Sequence, residues 1–108
     1  MTRLRSLLVA SALGTAAVAQ AQPSAVDLAE GLALFTQGAA PACAVCHTLK
    51  AAGSTGDVGP VLDELKPSAD RVAAALRNGV GLMPAYKGQL TEAQILVLAR
   101  YVAAVSGR

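Results

Sequence analysis

The feature that most constrains this chain is one pentapeptide, Cys43-Ala44-Val45-Cys46-His47. Two thiols three residues apart share one face of a helical turn, so both sulfurs can reach the two vinyl groups along one side of a porphyrin. The imidazole that directly follows Cys46 can then bind iron from the proximal side. The C-x-x-C-H spacing is therefore typical of covalent attachment of a c-type haem.

The pentapeptide alone leaves three other interpretations open. A structural zinc site needs about four ligands, so a carboxylate would have to join Cys43, Cys46 and His47, the only Cys and His residues of the chain. A thiol redox pair usually occurs in a βαβ context, and the sequence shows no such pattern. A disulfide across so short a loop would stabilise the chain little.

The start of the chain, residues 1–21, predicts a secretory signal peptide. Two arginines form a basic beginning, an apolar stretch follows, and small residues stand at the expected cleavage site. We expect cleavage after Ala21, with Ala19 as the other candidate. The apolar run is shorter than the ~20 residues that span a bilayer, so a retained membrane anchor is the weaker interpretation. The sequence thus predicts an exported, periplasmic domain over 22–108 without stable membrane insertion.

Charge and composition narrow the function further. Nine basic residues minus the two arginines of the leader leave seven, which balance seven acidic residues, so we expect no nucleic-acid partner. The domain is rich in Ala, Val and Leu, and its aromatic residues are Phe35, Tyr86 and Tyr101. So small a domain buries little apolar surface unaided. A covalently held porphyrin would supply the missing apolar bulk.

Apolar periodicity predicts an all-α domain of short helices. The first helix is predicted over 24–38, with Ser24 as its N-cap. Its predicted apolar stripe consists of Val26, Leu28, Leu32 and Phe35. Another helix is predicted over 68–78, and the last begins at the capping box of Thr91 and Gln94. No segment shows the alternating pattern of a strand.

The sixth coordination position of a haem iron separates catalysts from carriers. Met83 is the only Met beyond the leader, and it lies in a Gly- and Pro-containing loop rather than on a helical stripe. We therefore predict Met83 as the second axial ligand, with a packing role as the alternative. Lysine ligands would have to lose a proton at a cost near neutral pH; the candidates are Lys50, Lys66 and Lys87.

Five segments taken in chain order resemble the small monohaem class I cytochromes c. They are residues 31–35, 43–47, 59–62, 81–84 and 98–102. The resemblance covers essentially the whole predicted mature chain. It implies the cytochrome c fold, in which short helices wrap around one covalently bound haem c with its iron.

The resemblance also implies the roles of individual residues. Cys43 and Cys46 would form the thioethers, and His47 and Met83 would be the axial ligands. The carbonyl of Pro60 would accept a hydrogen bond from the other ring N–H of His47 and so fix its tautomer and orientation.

Two further implications concern the helices and the haem propionates. In such proteins the first and last helices cross closely, which gives Gly31, Phe35 and Tyr101 a role at the crossing. Because the chain has no Trp, the propionate hydrogen bond that Trp makes in some members would fall to another group. The candidates are the side chains of Arg77 and Tyr86, or backbone amides.

These observations predict an electron carrier rather than an enzyme, because the sequence shows no carboxylate pair, catalytic triad or open metal site. We expect a monomer or a subunit of a redox complex whose partner is a dehydrogenase, reductase or oxidase. Without a basic ring, the docking surface is predicted as an apolar patch, Ala42, Ala44, Val80 and Leu82. The alternatives are the electron-accepting subunit of a periplasmic dehydrogenase for sulfite or an alcohol, and an open-site haem peroxidase or sensor.

Overall fold

The computed structural model describes residues 10–17 and 22–108. Most of the predicted signal peptide, including both candidate cleavage sites after Ala19 and Ala21, lies outside these residues. Within the described part, no helix is long and apolar enough to cross a membrane.

The described chain is mostly helical, which confirms the all-α class. Its helices are α1 (Ala25–Gln37), α2 (Cys43–Cys46), α3 (Leu62–Leu65), α4 (Ala69–Asn78) and α5 (Glu92–Val105). A short hairpin follows α2, in which β1 (Thr48–Leu49) and β2 (Ser54–Thr55) pair antiparallel. A 3₁₀ turn and left-handed Gly53, with φ of 64°, connect the two strands. These two-residue strands were not predicted, because they are too short to show an alternating pattern.

The ends of the longer helices follow the predicted capping signals. Ser24 accepts a hydrogen bond from the Asp27 backbone N–H and closes a capping box at the start of α1. Thr91 and Gln94 form the predicted capping box of α5. Ser68 caps α4 by accepting from the backbone N–H of Arg71. Each cap satisfies N–H groups that have no partner inside the helix.

Helix α1 crosses α5 at the predicted glycine. A Cβ atom on Gly31 would lie 2.2 Å from the Cβ of Tyr101, so only a residue without a side chain permits this approach. Beside it, the rings of Phe35 and Tyr101 pack at 6.3 Å between centroids with a tilt of 56°, a favourable geometry for an aromatic pair. The crossing confirms the role expected for these three residues.

The predicted apolar stripe of α1 is partly wrong. Val26 is 74% exposed and Leu32 is 39% exposed, whereas Leu34 is buried together with Gly31 and Phe35. The buried face is centred on the glycine, because α5 approaches most closely there. The predicted stripe contained only large apolar side chains, so it did not include the glycine at the centre of the buried face.

Candidate functional site

A cavity of about 390 Å³ lies between the pentapeptide, α4, α5 and the loop that carries Met83. The four predicted site residues, Cys43, Cys46, His47 and Met83, all line this cavity. Apolar side chains form most of the remaining walls, among them Phe35, Leu76, Leu98 and Val102. The structure therefore brings the predicted tether and ligand residues together around one apolar space.

The imidazole of His47 is oriented by the loop that follows the hairpin. Its Nδ1 lies 2.8 Å from the carbonyl oxygen of Pro60, so Nδ1 carries the proton and donates it, which leaves Nε2 with a free lone pair. A Cβ atom on Gly59 would lie 2.6 Å from Cε1 of the ring. The backbone of Gly59 also donates to the carbonyl of Cys46 at 2.8 Å. The glycine thus lets this loop lie directly against the ring and hold it.

Cys43 and Cys46 are not joined in a disulfide. Burial raises the pKa of the Cys43 thiol to about 11. A catalytic thiol redox pair has a lowered pKa, because the thiolate is the nucleophile. A thiol with so high a pKa is neutral near pH 7, which does not fit the thiol redox interpretation.

The zinc interpretation also lacks support in the described chain. No group of three or more His, Cys, Asp and Glu side chains in residues 10–17 and 22–108 lies close enough to hold a metal ion. A structural zinc site needs four such ligands. The carboxylate that would have to join Cys43, Cys46 and His47 is not beside them.

Met83 is held by a tight turn. The backbone N–H groups of Val80 and Met83 each donate to the carbonyl of the other, at 3.0 and 2.9 Å. Gly79 and Gly81 have φ of 70° and 55°, a region that favours glycine. A Cβ atom on Gly79 would also meet the Met83 carbonyl oxygen at 2.7 Å. The sequence of this turn therefore fixes the backbone from which the Met83 side chain reaches the cavity.

Both candidate propionate partners already have hydrogen-bond partners within the protein. Arg77 donates to Glu92 through Nε at 2.9 Å and through a second guanidinium nitrogen, and this pair raises the pKa of Arg77. The Tyr86 hydroxyl donates to the carbonyl of Pro41 at 2.7 Å. Among the described residues, the charged side chain that lines the cavity is Arg71. Sequence reasoning missed Arg71, although the Ser68 cap fixes its place in the first turn of α4.

The mouth of the cavity carries exposed apolar side chains. Leu82 is 92% exposed at the tip of the Met83 turn, and Val80 and Val58 are about two-thirds exposed at 65% and 64%. All three line the cavity, as does Ala42. Ala44, also predicted in the docking patch, does not line the cavity and packs against the core instead, whereas Val58 was not part of that prediction.

Comparisons with known proteins agree with this geometry. The family model described as cytochrome c oxidase, cbb3-type, subunit III matches residues 26–102. Among solved structures, the c-type cytochrome SorU from Sinorhizobium meliloti is 47% identical with a TM-score of 0.75, and the match covers 79% of this chain and 97% of that one. The search of curated protein sequences gave no significant match.

The site fits the cofactor that these matches imply. A covalently bound haem c needs two thiols on one helical face, an imidazole with a free ring nitrogen and apolar walls, and the cavity offers all three. The protein therefore carries haem c with its iron. The chain belongs to the small monohaem class I cytochromes c, whose function is electron transfer.

Proposed function

We propose that this protein carries one electron at a time on a haem c bound by His47 and Met83 and tethered through Cys43 and Cys46. The observation that supports the proposal is the meeting of these four side chains at one apolar cavity. When bound, the haem supplies an iron that alternates between the ferrous and ferric states. With protein ligands on both sides, the site would have no open position for a substrate.

The residues around the ligands have separate tasks in this proposal. The Pro60 carbonyl, 2.8 Å from Nδ1, fixes the tautomer of His47 and makes its other nitrogen more basic. The Val80–Met83 turn holds the thioether of Met83 toward the cavity. The apolar walls exclude water, and sulfur ligation by Met favours the less charged, reduced state. The exclusion of water and the sulfur ligation both raise the reduction potential.

We also propose where the protein works and how partners reach it. After removal of residues 1–21 it would act in the periplasm, exchanging electrons through the exposed apolar rim of Val58, Val80 and Leu82. The family description names an oxidase subunit, which supports an oxidase as one class of partner. A dehydrogenase or reductase is the other class, and no enzymatic activity of this chain is proposed.

A second candidate is the electron-accepting subunit of a periplasmic dehydrogenase. Leu82, 92% exposed beside the cavity, favours it, because such a side chain is the kind that a permanent partner covers. Co-purification from the native host at physiological salt distinguishes the two candidates. A stable stoichiometric complex indicates a subunit, and a free monomer indicates a shuttle.

A redox titration followed by optical spectroscopy tests the proposal. The protein is produced in a host that matures c-type cytochromes. The wild type should show an alkaline-pyridine spectrum of haem c with two thioethers and, when oxidised, a near-infrared sulfur-to-iron band. Cys46→Ala should leave at most one thioether and change the pyridine spectrum. An unaltered spectrum in that variant would contradict the tether assignment.

Met83→Ala tests the second ligand. The variant should lose the near-infrared band, bind carbon monoxide readily when reduced, and have a lower potential, because the sixth position opens. Leu82→Ala, one residue earlier on the same turn, is the matched control and should keep both band and ligation. If Met83→Ala leaves the potential and the band unchanged, Met83 is a packing residue.

A further inference from the structure

The segment between Met83 and α5 is fastened to the chain just before the pentapeptide. Tyr86, which is buried, donates its hydroxyl proton to the Pro41 carbonyl at 2.7 Å. The Gln89 side chain accepts from the backbone N–H of Ala40 at 2.9 Å and donates to the carbonyl of the same residue at 2.8 Å. We call these three hydrogen bonds the loop clamp. They join residues 45 to 49 positions apart in sequence.

The loop clamp lies close in sequence both to the pentapeptide and to Met83. Pro41 is two residues before Cys43, and Tyr86 is three residues after Met83. Three residues span at most about 10 Å when fully extended, so Met83 cannot move far from the cavity while Tyr86 stays in place. The backbone N–H of Tyr86 also donates to the Leu76 carbonyl at 2.7 Å, which ties the same residue to α4.

We propose that Tyr86 and Gln89 are positioning residues that keep Met83 on the iron by clamping its loop to Ala40 and Pro41. This inference rests on the proposed ligation by Met83 and deepens it. For an external ligand to bind, Met83 must leave, and its loop must swing away from the cavity. If that motion breaks the loop clamp, the free energy of its hydrogen bonds contributes to the equilibrium between the closed and the open loop. Weakening the clamp then raises the open fraction, and with it the apparent affinity for the external ligand.

Tyr86→Phe tests the clamp at its buried end, with imidazole binding to the oxidised holoprotein as the measurement. The variant keeps the ring and removes only the hydroxyl. We expect imidazole to bind about two- to tenfold more tightly than to the wild type, the factor for one typical net hydrogen bond. Tyr101→Phe is the matched control, because it removes a phenol hydroxyl from a buried ring at the α1–α5 crossing, away from the loop. It should leave the imidazole affinity unchanged.

Gln89→Ala tests the exposed end of the clamp independently, and it should increase imidazole affinity in the same direction. A double-variant comparison shows whether both act through Met83. In a Met83→Ala background the sixth position is already open, so adding Tyr86→Phe should not change the affinity further. A gain of the same size in that background would mean that Tyr86 acts on the cavity directly, which would overturn the clamp proposal.

The two proposals fail in different ways. If Met83→Ala loses the near-infrared band but Tyr86→Phe and Gln89→Ala bind imidazole like the Tyr101→Phe control, the ligation stands and the clamp is wrong. If Met83→Ala changes neither the band nor the imidazole affinity, the ligation fails and the clamp fails with it. Urea unfolding of each variant separates a general loss of stability from a specific opening of the loop.

Discussion

Two regions of this molecule are held in place by different forces. The helical region, α1, α4 and α5, is held by apolar packing, and its helices begin at local capping residues. The site region comprises residues 47–61, which include the hairpin, and the loop 79–90. Its conformation depends on glycines and on individual hydrogen bonds to backbone groups, such as those of His47 and Met83.

This difference predicts how substitutions in each region affect the stability and the redox function of the protein. Close packing in the helical region stabilises the fold through many contacts. An added atom is tolerated there only where space remains. In the site region a single hydrogen bond fixes the orientation of a proposed ligand side chain, so a substitution there should shift the reduction potential as well as the stability. We therefore expect substitutions in the helical region to change the free energy of unfolding but not the reduction potential. Matched substitutions in the site region should change both.

The largest effect on stability is expected from Gly31→Ala at the helix crossing. The new methyl group would overlap the Cβ of Tyr101, 2.2 Å away, so α1 and α5 must separate. Overpacking of this kind costs about 1–3 kcal/mol or more. Urea unfolding of the holoprotein measures it, and the potential should change little.

Gly88→Ala is the matched control for this prediction. A Cβ atom there meets no other atom within 4 Å, so the free energy of unfolding should stay within about 0.5 kcal/mol of the wild type. Equal losses in both variants would show that the crossing is not specially close.

Gly59→Ala makes the same chemical change in the site region. Its Cβ atom would lie 2.6 Å from Cε1 of His47, which pushes the ring off the Pro60 carbonyl. We expect a stability loss of about 1–3 kcal/mol together with a clear shift in reduction potential. A potential equal to that of Gly31→Ala would contradict the assignment of different tasks to the two regions.

Thr91→Ala removes the side-chain cap of α5 and should cost about 1 kcal/mol. The loss comes from an N–H of Gln94 that no longer has its partner at 3.1 Å. Thr36→Ala is the control, because the Thr36 hydroxyl bonds the Leu32 carbonyl within α1, where such bonds add little. Thermal or urea unfolding compares them, and similar losses would argue against a specific capping effect.

The smallest loss of stability is expected from Asp63→Asn. Asp63 links Lys50 in the site region to Gly107, just after α5. Its two carboxylate oxygens accept from the backbone N–H groups of Lys50 at 2.8 Å and Gly107 at 2.9 Å. Asn keeps only one acceptor oxygen and turns an amide group toward the other N–H.

The stability that the Asp63 carboxylate contributes depends on pH in a definite direction. The hydrogen bonds from Gly107 and Lys50 lower the pKa of Asp63, so its contribution is present above the unfolded-state pKa of ~3.9. That contribution is lost as pH falls through the lower, folded-state pKa. The variant should be less stable than the wild type at pH 7, and the difference should narrow in acid. Asp57→Asn, at an exposed carboxylate with no hydrogen bond to its side chain among the described residues, is the control at pH 7 and should change the free energy of unfolding by less than about 0.5 kcal/mol.

The parts of the fold that sequence predicts well are those determined locally. Ser24 and Thr91 mark helix starts because a cap acts on N–H groups two or three residues away. The crossing at Gly31 is not local, and it was expected only from the resemblance to the class I cytochromes c. Helix α3 and the two-residue strands were missed, since four or fewer residues show no measurable period.

The site was only partly predictable for a related reason. The spacing of Cys43, Cys46 and His47 carries its own chemistry, so these residues could be named in advance. The bonds of Tyr86 to Pro41 and of Gln89 to Ala40 join distant residues through a phenol and an amide that follow no pattern. For that reason the sequence offered Tyr86 only as a candidate propionate partner and did not predict its hydrogen bond to the Pro41 carbonyl.

The contact between Gly31 and Tyr101 has a consequence for the order in which the protein assembles. It closes a loop that contains the pentapeptide, the Met83 turn and every residue of the loop clamp. Closing so long a loop carries an entropy cost that rises with its length, and contacts of this separation slow folding. A single helical turn such as α2 is not stable on its own, so it depends on that closure. We therefore expect the segment that contains Cys43 and Cys46 to stay unpacked until the two ends of the domain meet.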